Sequence, residues 1–368
     1  MNKNLDTNKI KELLPGLILG VMIAIVSFYS AKYLNHLIGY KSLISSILLA
    51  IILGIIVKTF IGINQRFEEG LDFNVKRVLR IGIIILGIRL SISEIFSLGL
   101  SGIPIIIVCI FAGLITGYLL TKLLNLPSKL GVLIAVGTSI CGASAIVATA
   151  PGINAKKEEI AYSITVITIF GLLAMIFYPF LSNFLEFSEK NAGLFLGTSI
   201  HETAQVTGAG FIYDETFGTA NVGKNAITVK LVRNLSMVFV IPLMTILYKK
   251  SSTQNLQILS LKEISKLIPT FILGFFLMSI IRTLGDLSFN PNTFISENLW
   301  SEITEQLTSI SKFLLIIAMG SVGMTTDIKS IKGLGLKPFL VGILIATIVG
   351  ACSLLFITIF MWDEKKQN

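Results

Sequence analysis

Three short stretches of this chain place reactive or polar residues in apolar surroundings. The first is Gly137-Thr138-Ser139-Ile140-Cys141-Gly142-Ala143-Ser144. Glycines and small hydroxyls weaken a helix, so the backbone is expected to unwind here. Unwound backbone is tolerated in hydrocarbon only where it is buried in protein or lines a cavity. There its freed N–H groups hold an anion and its freed carbonyls hold a cation. The same small residues also permit close helix packing, the role read for Gly113 and Gly117 in their GxxxG spacing.

The second stretch, residues 197–210, is polar and glycine-rich where a span is expected. On a continuous helix Thr198, Glu202 and Gln205 share one face, with His201 beside it. An ionised residue in mid-bilayer costs about 2.5 to 3.5 kcal/mol on insertion scales, so Glu202 must face the interior and have a partner. The alternative is a loop outside the membrane. The third stretch holds Lys230, Arg233 and Asn234 at i, i+3 and i+4, with Leu231, Val232, Leu235 and Val238 opposite. That pattern predicts an electropositive lining, or else cations snorkelling from a helix end. Arg80 and Arg89 are similar cations in another apolar run.

These embedded cations outnumber Glu202, so a small anion is the more economical cargo. The residues expected to bind it are Thr138, Ser139, Cys141, Gly142, Ser144, Ser199, Gln205, Lys230 and Arg233. Glu202, with His201, is expected to carry a coupling proton. Two other classes stay open: an intramembrane enzyme using Glu202, His201 and Ser199, and a channel or cation antiporter using Glu202 and Asp327. Familiar enzyme motifs are missing. His201-Glu202 begins like a zincin HExxH, but the second position is Gln205. Gly218 to Asn225 nearly matches a phosphate-binding loop yet lacks its Ser/Thr and a preceding strand. Cys109, Cys141 and Cys352 have neither disulfide nor zinc spacing. No metal and no cofactor is called for.

The elements that position these residues follow from composition. Of 368 residues, 53% are hydrophobic and 14% charged, too few charges to cover a soluble surface. Mean hydropathy is +0.83. The net charge of +9 comes in twos and threes between apolar blocks, the pattern of membrane loops and not of a nucleic-acid surface. The apolar runs are 13–31, 43–57, 78–90, 103–121, 130–155, 160–185, 192–213, 226–248, 267–281, 313–326 and 338–362. They predict an all-α polytopic bundle of about 11 spans, with the whole chain as one integral membrane transporter domain. The Lys/Arg bias places the N-terminus in the cytoplasm and the C-terminus outside. The most polar loop, 286–312, is expected to lie over one membrane face. The first apolar run lacks a small-x-small cleavage site and reads as a retained helix.

Two internal repeats point to a transporter built from related bundles. Gly137-Thr138-Ser139-Ile140 recurs as Gly197-Thr198-Ser199-Ile200, and each copy is followed by Ile-Thr-Val and a later proline, Pro179 or Pro242. Residues 81–100 align without gaps with 317–336, matching Gly87 with Gly323 and Ile92 with Ile328.

The motifs Gly137 to Ala145, His201-Glu202-Thr203-Ala204-Gln205-Val206 and Val229-Lys230-Leu231-Val232-Arg233 together resemble the YeiH-type bacterial membrane proteins, grouped by name as sulfate exporters. The resemblance covers nearly the whole chain. It implies a bacterial inner-membrane protein distantly related to bile-acid symporters and cation/proton antiporters, with a discontinuous helix near the midplane. The implied cargo is sulfate, a sulfonate or an organic acid, moved by alternating access with a proton or sodium ion as coupling ion. Expected partners are that anion, the coupling ion and the lipid bilayer. Nucleic acid is not among them, and a homodimer is left open.

Overall fold

Backbone groups inside a bilayer have no water to bond, so a spanning segment must close its own hydrogen bonds as a helix. The computed structural model describes residues 7–38, 44–251, 269–287, 297–326 and 336–360, and every regular element among them is helical. In chain order these are α1 (Thr7–Ile38), α2 (Ser46–Ile56), α3 (Gln65–Phe73), α4 (Leu79–Leu86), α5 (Ile92–Leu123), α6 (Ser128–Ser139), α7 (Ala143–Thr149) and α8 (Lys157–Phe184). Then follow α9 (Glu189–Ser199), α10 (Thr203–Phe217), α11 (Val222–Leu235), α12 (Met237–Ser251), α13 (Thr270–Leu287), α14 (Glu297–Thr325) and α15 (Leu336–Phe360).

A count of about 11 spans is not confirmed among the described residues. Among the described residues six helices are long and apolar enough to cross, or seven if the bent pair α11–α12 counts as one. Hydropathy registers how many apolar residues a run holds, not where its backbone is cut. The run 130–155 is cut into α6 and α7, and 192–213 is cut into α9 and α10. The run 226–248 bends by 42° between α11 and α12. The run 78–90 is the end of a helical stretch that continues from α3 through a π-helical turn at Asn74–Val78 into α4 and a tight turn at Gly87–Arg89. The expected loop at 286–312 is largely helix, because α14 starts at Glu297 and runs straight into apolar sequence.

Contacts group the chain into two units. The first comprises Met1–Ile95, Phe211–Thr219 and Thr270–Ile328. Glycines let its helices approach backbone to backbone, as expected where lipid supplies no hydrophobic drive. A Cβ on Gly70 of α3 would lie 2.6 Å from Gly16 Cα of α1, and one on Gly54 of α2 would lie 3.0 Å from Gly323 Cα of α14. Asn74, fully buried at the start of a π-helical turn, donates to Ser321 Oγ at 2.9 Å. Glu215 Oε2 accepts from Ser46 N–H at 2.7 Å and from Ser45 Oγ at 2.8 Å, a carboxylate at the N-terminus of α2. Arg80 lies over the Phe271 ring at 5.8 Å, and Arg89 interacts with Asp214, so both cations belong to this unit.

The second unit comprises Phe96–Gly210, Ala220–Pro269 and Lys329–Asn368. Leu133, Ile146, Ala150, Ile153 and Ile167 form a buried cluster joining α6, α7 and α8. Gly113 and Gly117 of α5 meet α6, where added Cβ atoms would come 2.2 Å from Ser139 Oγ and 2.4 Å from Ala135 Cβ. Thr198 and Ser353 bring α9 and α15 together through a buried 2.6 Å hydroxyl pair. This packing fixes α6 and α9, the two helices that matter most for the site.

Candidate functional site

The repeated tetrapeptide ends a helix in both of its copies. Helix α6 closes at Ser139 and α9 closes at Ser199, so each Gly-Thr-Ser-Ile runs out at its Ile. Thr138 Oγ1 and Thr198 Oγ1 each bond back to a carbonyl four residues earlier, Ile134 O and Leu194 O. Such back-bonding loosens a helix end. Beyond the first break Gly142 adopts φ 63°, ψ −130°, a conformation that L side chains rarely tolerate. Helices α7 and α10 then restart at Ala143 and Thr203.

A helix end buried in this way leaves carbonyls without N–H partners. At α6, Val136 O accepts from Ile140 N–H at 3.1 Å and Gly137 O from Gly142 N–H at 2.8 Å. The remaining carbonyls are taken by side chains of α11. Arg233 Nη2 donates to Thr138 O at 2.5 Å, and Arg233 Nε donates to Ser139 O at 2.9 Å. Lys230 Nζ donates to Ile140 O at 2.8 Å. At α9, Arg233 Nη1 donates to Thr198 O at 2.7 Å and to Ile200 O at 3.2 Å. Lys230 Nζ donates to Ile200 O at 2.8 Å and to His201 O at 2.5 Å.

The grip is therefore matched across the repeat. Arg233 holds both threonine carbonyls, Thr138 and Thr198, while Lys230 holds both isoleucine carbonyls, Ile140 and Ile200. Both cations are 0% exposed. Two helix C-termini each present about half a negative charge, which is what draws two cations into the interior. The i, i+3 spacing read from the sequence is real, but these head groups point at backbone carbonyls. The apolar side expected to include Val238 is shorter, because α11 stops at Leu235.

Glu202 lies on the other side of the breaks. Its Oε1 accepts from Ala143 N–H at 3.2 Å, at the start of α7. It sits directly over Gly142, where a Cβ would lie 2.3 Å from Glu202 Cγ. The carboxylate is half-buried, unlike the two cations. Gln205 Oε1 accepts from Glu202 N–H at 3.2 Å, and Gln205 Nε2 donates to Thr168 O at 3.1 Å. Asn234 Nδ2 donates to Thr203 Oγ1 at 3.1 Å, tying α11 to the start of α10. The expected single helical face of Thr198, Glu202 and Gln205 does not form. The break at 200–202 leaves Thr198 on α9, and Glu202 and Gln205 at the start of α10.

Among the other expected site residues, Ser139 Oγ is buried with no hydrogen-bond partner, and Ser144 is exposed. Cys141 Sγ lies 3.2 Å from Met237 Sδ. Ser199 Oγ donates to Phe195 O, and neither His201 ring nitrogen makes a hydrogen bond. Ser199 and His201 are thus not paired as nucleophile and base. Asp327 lies outside the described residues, as does all of 327–335 in the second repeat. Thr168 and Gly171 were not read from the sequence as site residues. A Cβ on Gly171 would meet Gln205 Oε1 at 1.9 Å, so only glycine leaves room for that amide. A lone glycine in an apolar helix carries no signal of this role.

A family model described as "Conserved hypothetical protein 698" matches residues 15–342, most of the chain. The chain belongs to this family. Its relatives include a UPF0324 membrane protein of Streptococcus agalactiae serotype V, 37% identical over 333 residues, covering 90% of this chain and 93% of the relative. A UPF0324 membrane protein of Fusobacterium nucleatum is 36% identical over 331 residues, covering 89% and 92%. One from Clostridium tetani is 30% identical over 356 residues, covering 94% and 97%. The family members are bacterial membrane proteins, and this chain is a multi-pass one. Among solved structures, the sodium proton antiporter MjNhaP1 of Methanocaldococcus jannaschii aligns over 93% of this chain and 99% of its own, at 15% identity and a TM-score of 0.28. That likeness is too slight to say anything of this chain's cargo.

Proposed function

We propose that the chain is a secondary transporter that moves a small anion, such as sulfate, a sulfonate or an organic acid, by alternating access at the two broken helices. The observation that carries this reading is Glu202 on Ala143 N–H. The crossing already binds one small anion, its own tethered carboxylate. The local charge points the same way. Two helix C-termini contribute about −1 and two N-termini about +1 in total. Lys230 and Arg233 against Glu202 then leave a surplus of about one positive charge, or about two once Glu202 takes a proton.

Protonation weakens the hold of Glu202 on Ala143 N–H and vacates that position for a substrate anion. Proton and anion are thereby linked through one donor group. The exposed Ser144 hydroxyl beside it is the nearest side-chain donor in sequence. Lys230 and Arg233 act from behind, by setting the potential rather than by contact. Their head groups are bonded to carbonyls, as are the hydroxyls of Thr138 and Ser199.

The test is uptake of labelled sulfate, sulfite and organic acids into proteoliposomes across a pH series. Glu202→Gln keeps an acceptor oxygen for Ala143 N–H but cannot exchange a proton. It is expected to fold normally and to lose the pH dependence of uptake. Wild-type pH dependence in Glu202→Gln would remove the coupling role. Absence of any anion flux would remove the transport reading.

A further inference from the structure

Three carbonyl oxygens, those of Ile140, Ile200 and His201, converge on one point where the helices break. Carbonyls freed at half-helix C-termini are the usual ligands of a coupling sodium ion in transporters with discontinuous helices. Here that point holds the ammonium of Lys230, at 2.8, 2.8 and 2.5 Å from the three oxygens. An ammonium has three N–H donors and no acceptor, and all three are used. The adjoining carbonyls of Thr138, Ser139 and Thr198 are closed in the same way by Arg233. Every oxygen in this set already faces a covalently attached positive charge, and Ile200 O faces both, so a mobile cation binding there would be repelled by Lys230 and Arg233.

We infer that the Ile140, Ile200 and His201 carbonyls form a monovalent-cation site whose permanent occupant is Lys230, so that the crossing carries its own cation and sodium is not the coupling ion. The statement about coupling rests on the transport reading above; the cation site itself does not. Truncating Lys230 should turn a filled site into one that accepts a free cation. The vacated space holds both an ammonium and a short alkyl stem, so a small alkylammonium matches it best.

The experiment is thermal unfolding of the purified full-length protein in chloride salts of equal ionic strength. The cations are sodium, ammonium, n-propylammonium and choline, the last being too large for the site. Wild type is expected to unfold at the same temperature in sodium and in choline. Lys230→Ala is expected to unfold lower and to recover by about 2–4 °C in n-propylammonium relative to choline, as for a ligand present well above its Kd. Lys230→Met refills the space with an uncharged chain and is expected to gain nothing. Sodium stabilising wild type over choline would overturn the inference. So would a folded Lys230→Ala indifferent to every cation, or a Lys230→Met that responds equally. If Lys230→Ala does not fold, the wild-type and Lys230→Met comparisons decide alone. None of these readouts involves anion flux, so failure of the transport reading leaves them standing and is seen separately.

Discussion

Gly142→Ala tests the crossing at its tightest point. Alanine must adopt φ 63°, ψ −130°, outside the regions open to L residues, at about 1–3 kcal/mol of strain. Its Cβ would also lie 2.3 Å from Glu202 Cγ and 2.9 Å from Glu202 Oε1, so the carboxylate must leave Ala143 N–H. A hydrogen bond to a charged group contributes about 1.5–3 kcal/mol. The two effects together predict a loss of about 2.5–6 kcal/mol in Gly142→Ala. Glu202→Ala loses the hydrogen bond alone. In the double variant the clash has no side chain to displace, so only the backbone strain adds. The two substitutions should therefore be less than additive by about 1.5–3 kcal/mol, the share counted in both. The assay is unfolding of wild type, both single variants and the double variant under one set of conditions, with anion uptake against pH alongside. Strict additivity would refute the placement of Glu202 over Gly142. A Gly142→Ala protein with the unfolding temperature and pH profile of wild type would refute the whole account of the break.

Two further substitutions probe the grip on the helix ends. Arg233→Lys offers three donors from one point in place of a planar fork spanning four carbonyls, so at least one bond is lost. At about 1.5–3 kcal/mol per bond, the loss is at least about 1.5–3 kcal/mol, read as a lowered unfolding temperature that no alkylammonium restores. Thr198→Val removes the 2.6 Å bond to Ser353, which is expected to cost about 0.5–1.5 kcal/mol. Rescue by Ser353→Ala in the Thr198→Val background would support the pairing; unchanged stability in Thr198→Val alone would count against it.

The membrane setting and the helical class were legible in composition, because hydrocarbon forces internal backbone bonding whatever the details of packing. The first break was legible too. Gly137-Thr138-Ser139-Ile140 marks the end of α6, since the cause is local: glycine and back-bonding hydroxyls. The second was not: the pattern of 197–210 pointed to one helix or an outside loop, whereas α9 ends at Ser199 and α10 starts at Thr203. The number of crossings was not legible, because hydropathy sums over a run and is blind to a two- or three-residue interruption.

The sequence alone determined that Lys230 and Arg233 share a helix face in an apolar setting, since that follows from a spacing of three. What they face was decided only by the tertiary structure. Their partners are backbone carbonyls, which every residue carries and no residue type announces, and those carbonyls become available only because two helices end beside α11. The placement of Glu202 over Gly142 has the same origin. Residues 60 positions apart meet there, and the contact exists because packing sets one break against the other.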